Sequence, residues 1–473
     1  MEIVMQFIAR VFSVLLIAAP VLTACSEPNT TARPIFSAQG VSQPEVRGVW
    51  ASSEKGWILE IGETGIKRWQ NTPTACYPSP APDDATPLMG QIEYQLYRPT
   101  RDPKKTQFQY LPGDASATFE KLKHLPDQCI NDQTFSETDL FNILTSVFDA
   151  HFAFFTARKI DWASRVAVAR QSVTDGMDEK TLWSVFDQLI SGIGDSHTKM
   201  VGLVDGEKRR IQGGLGETLP FIRLNGGEGP WIRALVDQLI SDVLDPGAEL
   251  IADRIVTGKI DDQIGYIQIF TMGGFTDIEP AGSIEWSKGE LKELNHILDD
   301  LLTRYKDCDA IILDLSNNRG GYDAVARAIA ARFSDTSFKG YRVEVPGHPE
   351  ASTNYEIPPA KGIRYTGPVY LMASDVTVSG GEITTMMMKQ LPNVTLVGRP
   401  TRGSFSTPLA KPLPNGWYLE LSNEVFMTPA GDVYEGRGIP PDIALDIYPQ
   451  SAPVKGHAAA MEKTADLAKK RKG

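Results

Sequence analysis

Cysteine, histidine and positive charge are all scarce in this chain. Four cysteines and six histidines occur in 473 residues, and 47 basic residues stand against 59 acidic ones. The formal net charge of −12 and a pI near 5.1 exclude the basic surface that nucleic-acid binding requires. Nowhere do His, Cys, Asp and Glu recur at metal-ligand spacing, so no metal site is expected. The glycine-rich "GGLGET", Gly213 to Thr218, is not followed by a dinucleotide-binding pattern, and no cofactor is expected either. The N-terminal apolar run "VFSVLLIAAPVL" has 12 residues, too short to cross a bilayer as a helix.

What is present is ordinary globular material. The hydrophobic content is 42% and the charged fraction 22%, enough for two or three domains with cores. The 12-residue run follows Arg10 and has the dimensions of a signal-peptide apolar region, which assigns 1–24 to a signal peptide. It ends in "LTAC", which resembles the bacterial lipobox and implies cleavage before Cys25 and lipidation of its thiol. Ser26 after the cysteine points to the outer membrane, facing the periplasm; an ordinary secretory peptide cut nearby is the alternative. In such an oxidising compartment Cys76 and Cys129 are the candidate disulfide pair, with Cys308 a buried free thiol. Three unpaired thiols is the reading that sequence leaves open beside it.

Along the chain, 25–45 is polar and proline-containing and reads as a lipid-anchored tether. The segment 46–130 reads as a small β-module, from the alternating Trp57, Leu59 and Ile61 and the glycine turns around them. Over 131–200 the spacing becomes helical. Leu182, Val185, Phe186, Leu189 and Ile190 share one face, and Gly192 and Gly194 stop the run. The stretch 201–255 is connecting, and 256–450 alternates strands and helices, the pattern of an α/β fold with parallel strands. In that core "WYLELSNEVFMTP" reads as a closing hairpin. The last segment, 451–473, reads as a solvated tail ending in "KKRKG".

Three loops stand out. "GDSHT" carries Ser196 and His197 directly after a helix end. "DLSNNRGGYD" leaves one predicted strand and "ASDVTVSGGE" the next, and functional groups in parallel sheets gather at such strand ends. In the third loop Ser379 stands between strand and helix and is followed by two glycines. That is the general form of a nucleophile elbow, although Thr377 replaces the first glycine of Gly-x-Ser-x-Gly. Each residue also has a plainer role open to it. His197 and Ser379 can cap helix ends, Glu435 can pair with Arg437, and Gly320 and Gly321 can serve a tight turn.

Taken in order, "GDSHT", "AIILDLSNNRGG", "VSGGE", "VTLVGRPTRGS" and "YEGRGIPPDI" resemble the tail-specific (C-terminal processing) serine peptidases, within them the tricorn-like and retinoid-binding-protein-like branch. The resemblance covers residues 138–447 and implies a crotonase-like ββα spiral core with a helical subdomain. It implies Ser379 as nucleophile, His197 as general base, and Ser196 bridging His197 to the carboxylate of Glu435. A serine hydroxyl needs an adjacent base, and a histidine near its ordinary pKa supplies one. The backbone amides of Gly380 and Gly320 are the oxyanion-hole candidates. The family's other branch uses a Ser–Lys dyad, but here the corresponding stretch reads "TRGSFS", and Arg402 cannot surrender its proton. The family often inserts a PDZ domain of roughly 80–100 residues, and the connecting region is too short for a complete one.

The expected protein is thus a lipid-anchored serine endopeptidase acting on a peptide or unfolded-protein substrate, with no nucleic-acid partner and no membrane contact beyond its lipid. Its rivals are a non-catalytic lipoprotein binding apolar ligands or peptides on the same fold, and a hydrolase of non-peptide esters.

Overall fold

The computed structural model describes residues 31–81, 93–130 and 133–470. The expected signal peptide and Cys25 lie outside the described residues.

A seven-stranded sheet positions the site. Its order is Glu249–Ile251, Ile255–Ile260, Ile264–Ile269, Ala310–Asp314, Val369–Ala373, Val394–Gly398 and Ile443–Ala444. From Ile264–Ile269 onward all neighbours are parallel; the first two strands add antiparallel. Ala310–Asp314 and Val369–Ala373 are buried at every position, as central parallel strands covered on both faces must be. Helices Ile284–Arg304, Asp323–Ala330 and Gly380–Met388 cover one face. Thr218–Leu224, Glu228–Gln238 and Pro453–Lys470 cover the other. The architecture is α/β, as the strand–helix alternation predicts. Asp314 pairs with Met372 across the two central strands, so the "DLSNNRGG" and "ASDVTVSGG" loops leave the sheet side by side.

The N-terminal part is an eight-stranded antiparallel sheet running from Arg33–Pro34 to Ala117–Leu122. Its tryptophans Trp50 and Trp57 bury in one continuous core with helices Glu137–His151 and Glu179–Ile190 and with the Pro408–Pro412 and Tyr418–Ser422 strands. The β-module and the helical segment therefore share a core rather than owning one each. Ser136 and Asp139 cap the first of these helices reciprocally. Gly194, at φ 71°, ends the 3₁₀ turn that follows the second. Cys76 and Cys129 form a disulfide across 53 residues of chain. Closing a loop of that length removes roughly 4 kcal/mol of unfolded-chain entropy.

Five expectations need correction. The tether does not extend to residue 45: Arg33–Pro34 pairs with Leu96–Pro99 and the Ile35 side chain is fully buried, because an apolar residue next to an open sheet edge gains by docking there. The C-terminal segment is a helix, Pro453–Lys470, whose His457, Ala460 and Met461 are buried. Its charges lie outward, so a polar composition concealed an apolar stripe. "WYLELSNEVFMTP" is not a hairpin. Tyr418–Ser422 pairs with Pro408–Pro412 and Lys199–Val204, whereas Val425–Met427 joins Phe338–Val345 in another sheet. Cys308 is a free thiol but only partly buried. The 201–255 stretch is also more than a connector. Glu207–Gln212 forms a hairpin with Lys199–Val204, two helices follow, and Glu249–Ile251 edges the core sheet.

Candidate active site

Ser379 occupies the turn between the Val369–Ala373 strand and the Gly380–Met388 helix, at φ 58°, ψ −124°. A non-glycine residue there costs about 1–3 kcal/mol and persists only where the surroundings over-determine it. They do so here. Thr377 Oγ1 donates to the Leu315 carbonyl (2.7 Å) and Ser374 Oγ to the Ser316 carbonyl (2.6 Å). The Val378 amide donates to the Asn318 carbonyl and the Ser379 amide to the Ser404 carbonyl, both at 3.1 Å. The elbow is thus riveted to both neighbouring loops. Gly320 packs under it: a methyl group there would lie 2.6 Å from Ser379 Cβ, so only glycine fits.

His197 enters from the other side. Asp195, buried, accepts the His197 amide (3.0 Å) and the Thr198 hydroxyl (2.7 Å), which folds "GDSHT" into a tight turn. Gln212 Nε2 donates to the Ser196 carbonyl at 2.5 Å. His197 and Ser379 line one cavity of about 540 Å³ whose walls include Trp57, Met272, Trp286 and Phe405. Burial pushes the imidazole down to about 4, overriding the pull of Asp195, so His197 is neutral at physiological pH. That is the protonation state a general base requires.

The carboxylate arrangement differs from the expected one. Ser196 Oγ and His197 Nδ1 are buried with no hydrogen-bond partner among the described residues, so Ser196 does not bridge to Glu435. Glu435 instead accepts from Arg158 Nη2 (2.8 Å) and from the Phe405 amide (2.8 Å). It is buried and does not pair with Arg437, and burial together with the nearby Asp195 charge raises its carboxyl to about 8. Arg158 is the residue that sequence reasoning missed. Its guanidinium also lies 3.5 Å from Asp195 and donates to the carbonyls of Gly194 and Gly403. It thereby ties the histidine turn to the Gly403 and Glu435 loops. No local signal marks it, because Glu435 is 277 residues away in sequence. Glu382, raised to about 7 by burial, accepts the Gly403 and Ser404 amides and holds the same loop from the other side.

The oxyanion-hole pair also changes. The Gly320 amide already donates to Asn318 Oδ1 at 2.8 Å, because the preceding turn folds that side chain back over it. The Gly380 amide, at the first position of its helix, and the Gly321 amide have no acceptor among the described residues. They are close together: a methyl group on Gly380 would lie 3.2 Å from the Gly321 nitrogen. Among the described residues the lysines of the expected stretch and of the cavity wall are all engaged elsewhere. Arg402 binds the Asp375 carbonyl, Lys389 pairs with Asp442, and Lys411 is buried against the Gly56 carbonyl. Two lysines do line the cavity, Lys55 and Lys199, and they are paired with Glu424 and Glu420. Among the described residues no group of three or more His, Cys, Asp or Glu could hold a metal ion.

Residues 263–445 match peptidase family S41. The chain is similar to the carboxy-terminal-processing protease of Bartonella bacilliformis, 23% identical over 69% of this chain and 73% of that protein. It is also similar to the carboxy-terminal processing protease CtpA of Bacillus subtilis, 26% identical over 40% of this chain and only 36% of that protein. Among solved structures, one from Parabacteroides merdae superposes with a TM-score of 0.58 at 21% identity, covering 71% of this chain and 97% of that one. Mature CPAF superposes at 0.51 with 12% identity, over 70% and 96%. These likenesses carry the fold. The family match takes in Gly320, Ser379, Gly380 and Glu435 but not Ser196 or His197. What lies between residues 263 and 445 is thus similar to peptidase family S41.

Proposed function

We propose that the protein is a serine endopeptidase that cleaves peptide bonds through an acyl-enzyme on Ser379, with His197 as general base. The observation that carries this reading is the pairing, on one cavity, of a neutral buried imidazole with a serine held in a strained elbow. The Ser379 hydroxyl attacks the peptide carbonyl while His197 takes its proton. The negative charge that develops on the carbonyl oxygen faces the Gly380 and Gly321 amides and the positive end of the Gly380–Met388 helix. His197 then returns the proton to the departing amine, and water hydrolyses the ester by the same steps in reverse order. Asp195, Arg158 and Glu435 hold the histidine turn in register. The tricorn-like branch is favoured over the Ser–Lys branch by the lysine pairings described above.

The chain is further read as a lipoprotein, anchored through Cys25 in the bacterial outer membrane and facing the periplasm. The lipobox-like "LTAC" and the disulfide between Cys76 and Cys129 support that address.

The test is covalent labelling of residues 26–473 with a fluorophosphonate probe, alongside Ser379→Ala and His197→Ala. Labelling abolished by both changes, in folded proteins, is expected. A wild type that takes no label would favour the binding-protein reading, for which the largely apolar cavity is the supporting feature.

A further inference from the structure

The cavity that Ser379 opens into is not uniformly apolar. Asp114 and Asp323 both line it; neither makes an ion pair within 4.0 Å among the described residues, and neither bonds to another side chain, the Leu111 amide being the backbone group against Asp114. Asp323 stands two residues beyond Gly321, at the start of the Asp323–Ala330 helix, so this acidic wall adjoins the reacting serine. Among the described residues, Arg327 is a cation whose charge reaches both. Its guanidinium is already engaged by Tyr341 Oη and the Gly113 carbonyl, both at 2.7 Å, and it stacks on the Tyr355 ring. Two carboxyls thus share one guanidinium that is already engaged elsewhere.

A second feature points the same way. Asn423 lines this cavity at 1% exposure, and its Oδ1 has no hydrogen-bond partner among the described residues. Next to it, Glu424 spends one oxygen on Lys55 while its other, Oε2, is buried and unpartnered. An unmet buried acceptor is costly to leave without a donor. Burial, then mutual repulsion, raises the Asp114 carboxyl to about 8; burial raises that of Asp323 to about 6. A positive charge seated among these groups would relieve all of them at once. The other cations of the wall do not fill the role. Lys199 is paired with Glu420, Arg319 with Glu228, and Arg254 lies against Gly274 on a different element.

We propose that Asp114 and Asp323, with Asn423 and Glu424 beside them, form a subsite for a cationic group of the substrate. Lysine and arginine side chains and a free peptide N-terminus share that chemistry. The inference rests on the peptidase reading for its location but not for its recognition, and the test separates the two.

The full chain carrying Ser379→Ala is titrated, by fluorescence anisotropy, with labelled hexapeptides in an alanine background. One residue at each position in turn is lysine, norleucine or glutamate, and each peptide is made N-acetylated and with a free amine. Lysine at one or two positions is expected to bind about tenfold tighter than norleucine, with glutamate weakest. The Asp114→Asn and Asp323→Asn pair should erase that preference while leaving norleucine affinity unchanged. A preference seen only with the free amine assigns the site to the N-terminus. Equal binding of lysine and norleucine at every position, or a preference that survives both substitutions, overturns the proposal. If the double variant does not fold, Asp114→Asn alone must reduce the ratio. Cleavage of the same peptides by the unmutated chain reports separately on the peptidase reading.

Discussion

Replacing Arg158 with methionine removes the one cation between two buried carboxyls. The Arg158 side chain is 7% exposed, with Glu435 at 2.8 Å and Asp195 at 3.5 Å. Glu435, raised to about 8, is largely neutral at pH 7 and meets Arg158 through a hydrogen bond; for the ionised Asp195 the attraction is worth roughly 5 kcal/mol at an effective dielectric of about 20, before desolvation is subtracted. Desolvation of the buried groups consumes much of that. Breaking a buried pair by removing one partner is nonetheless destabilising by about 3–5 kcal/mol, because the charges left behind remain buried. The Gly194 carbonyl also loses its donor, and the Gly403 carbonyl keeps the Gly436 amide alone. Protonation sets the upper bound. Glu435, raised to about 8, holds its proton through this range in both proteins, so the pH dependence comes from Asp195: in the variant its folded-state pKa would lie above the unfolded one, and stability is lost as pH rises from the unfolded value through the folded one. The deficit against wild type should therefore be about 3–5 kcal/mol at pH 7 and smaller at pH 5. Denaturant unfolding at both pH values measures it, and fluorophosphonate labelling should slow in parallel as the histidine turn loosens. A loss below about 1 kcal/mol, the level of a surface pair, would refute the assignment of Arg158. So would a deficit independent of pH, or labelling at the wild-type rate.

Other outcomes follow from the same geometry. With His197 lowered to about 4, the labelling rate should rise through pH 4 and be flat from about 5.5 upward; a midpoint near 6.5 would mean an exposed imidazole. The same depression stabilises the fold above the unfolded histidine pKa near 6.5, and this contribution, about 3 kcal/mol, is lost as pH falls toward 4. Substituting His197 with glutamine should remove that part of the pH–stability curve. Gly320→Ala sets a methyl 2.6 Å from Ser379 Cβ at φ 77° and should abolish labelling, with a stability loss of at least about 1–3 kcal/mol by thermal unfolding. Cys76→Ser with Cys129→Ser should cost roughly 4 kcal/mol in denaturant unfolding, and an unchanged midpoint would show that the 53-residue loop is ordered without its bridge.

The primary structure by itself determined the strand–helix alternation of the core, the helix stop at Gly194 and the elbow at Ser379. Each is local: apolar periodicity, a glycine able to take positive φ, and a serine between a buried strand and a helix. The order of the five motifs was legible for the same reason, since each is a short run of neighbours. Tertiary structure decided what depends on distant residues. Ile35 docks against a sheet edge, and the polar-looking C-terminal segment packs His457 and Met461 against the core. The partners of Glu435 and of the Gly320 amide were not readable. Glu435 meets Arg158 across 277 residues, and Gly320 is claimed by an asparagine two positions earlier only because that turn folds back on itself. Sequence names which groups carry charge or a labile proton; the fold settles which of them meet in a space that water has left, where proximity turns into energy.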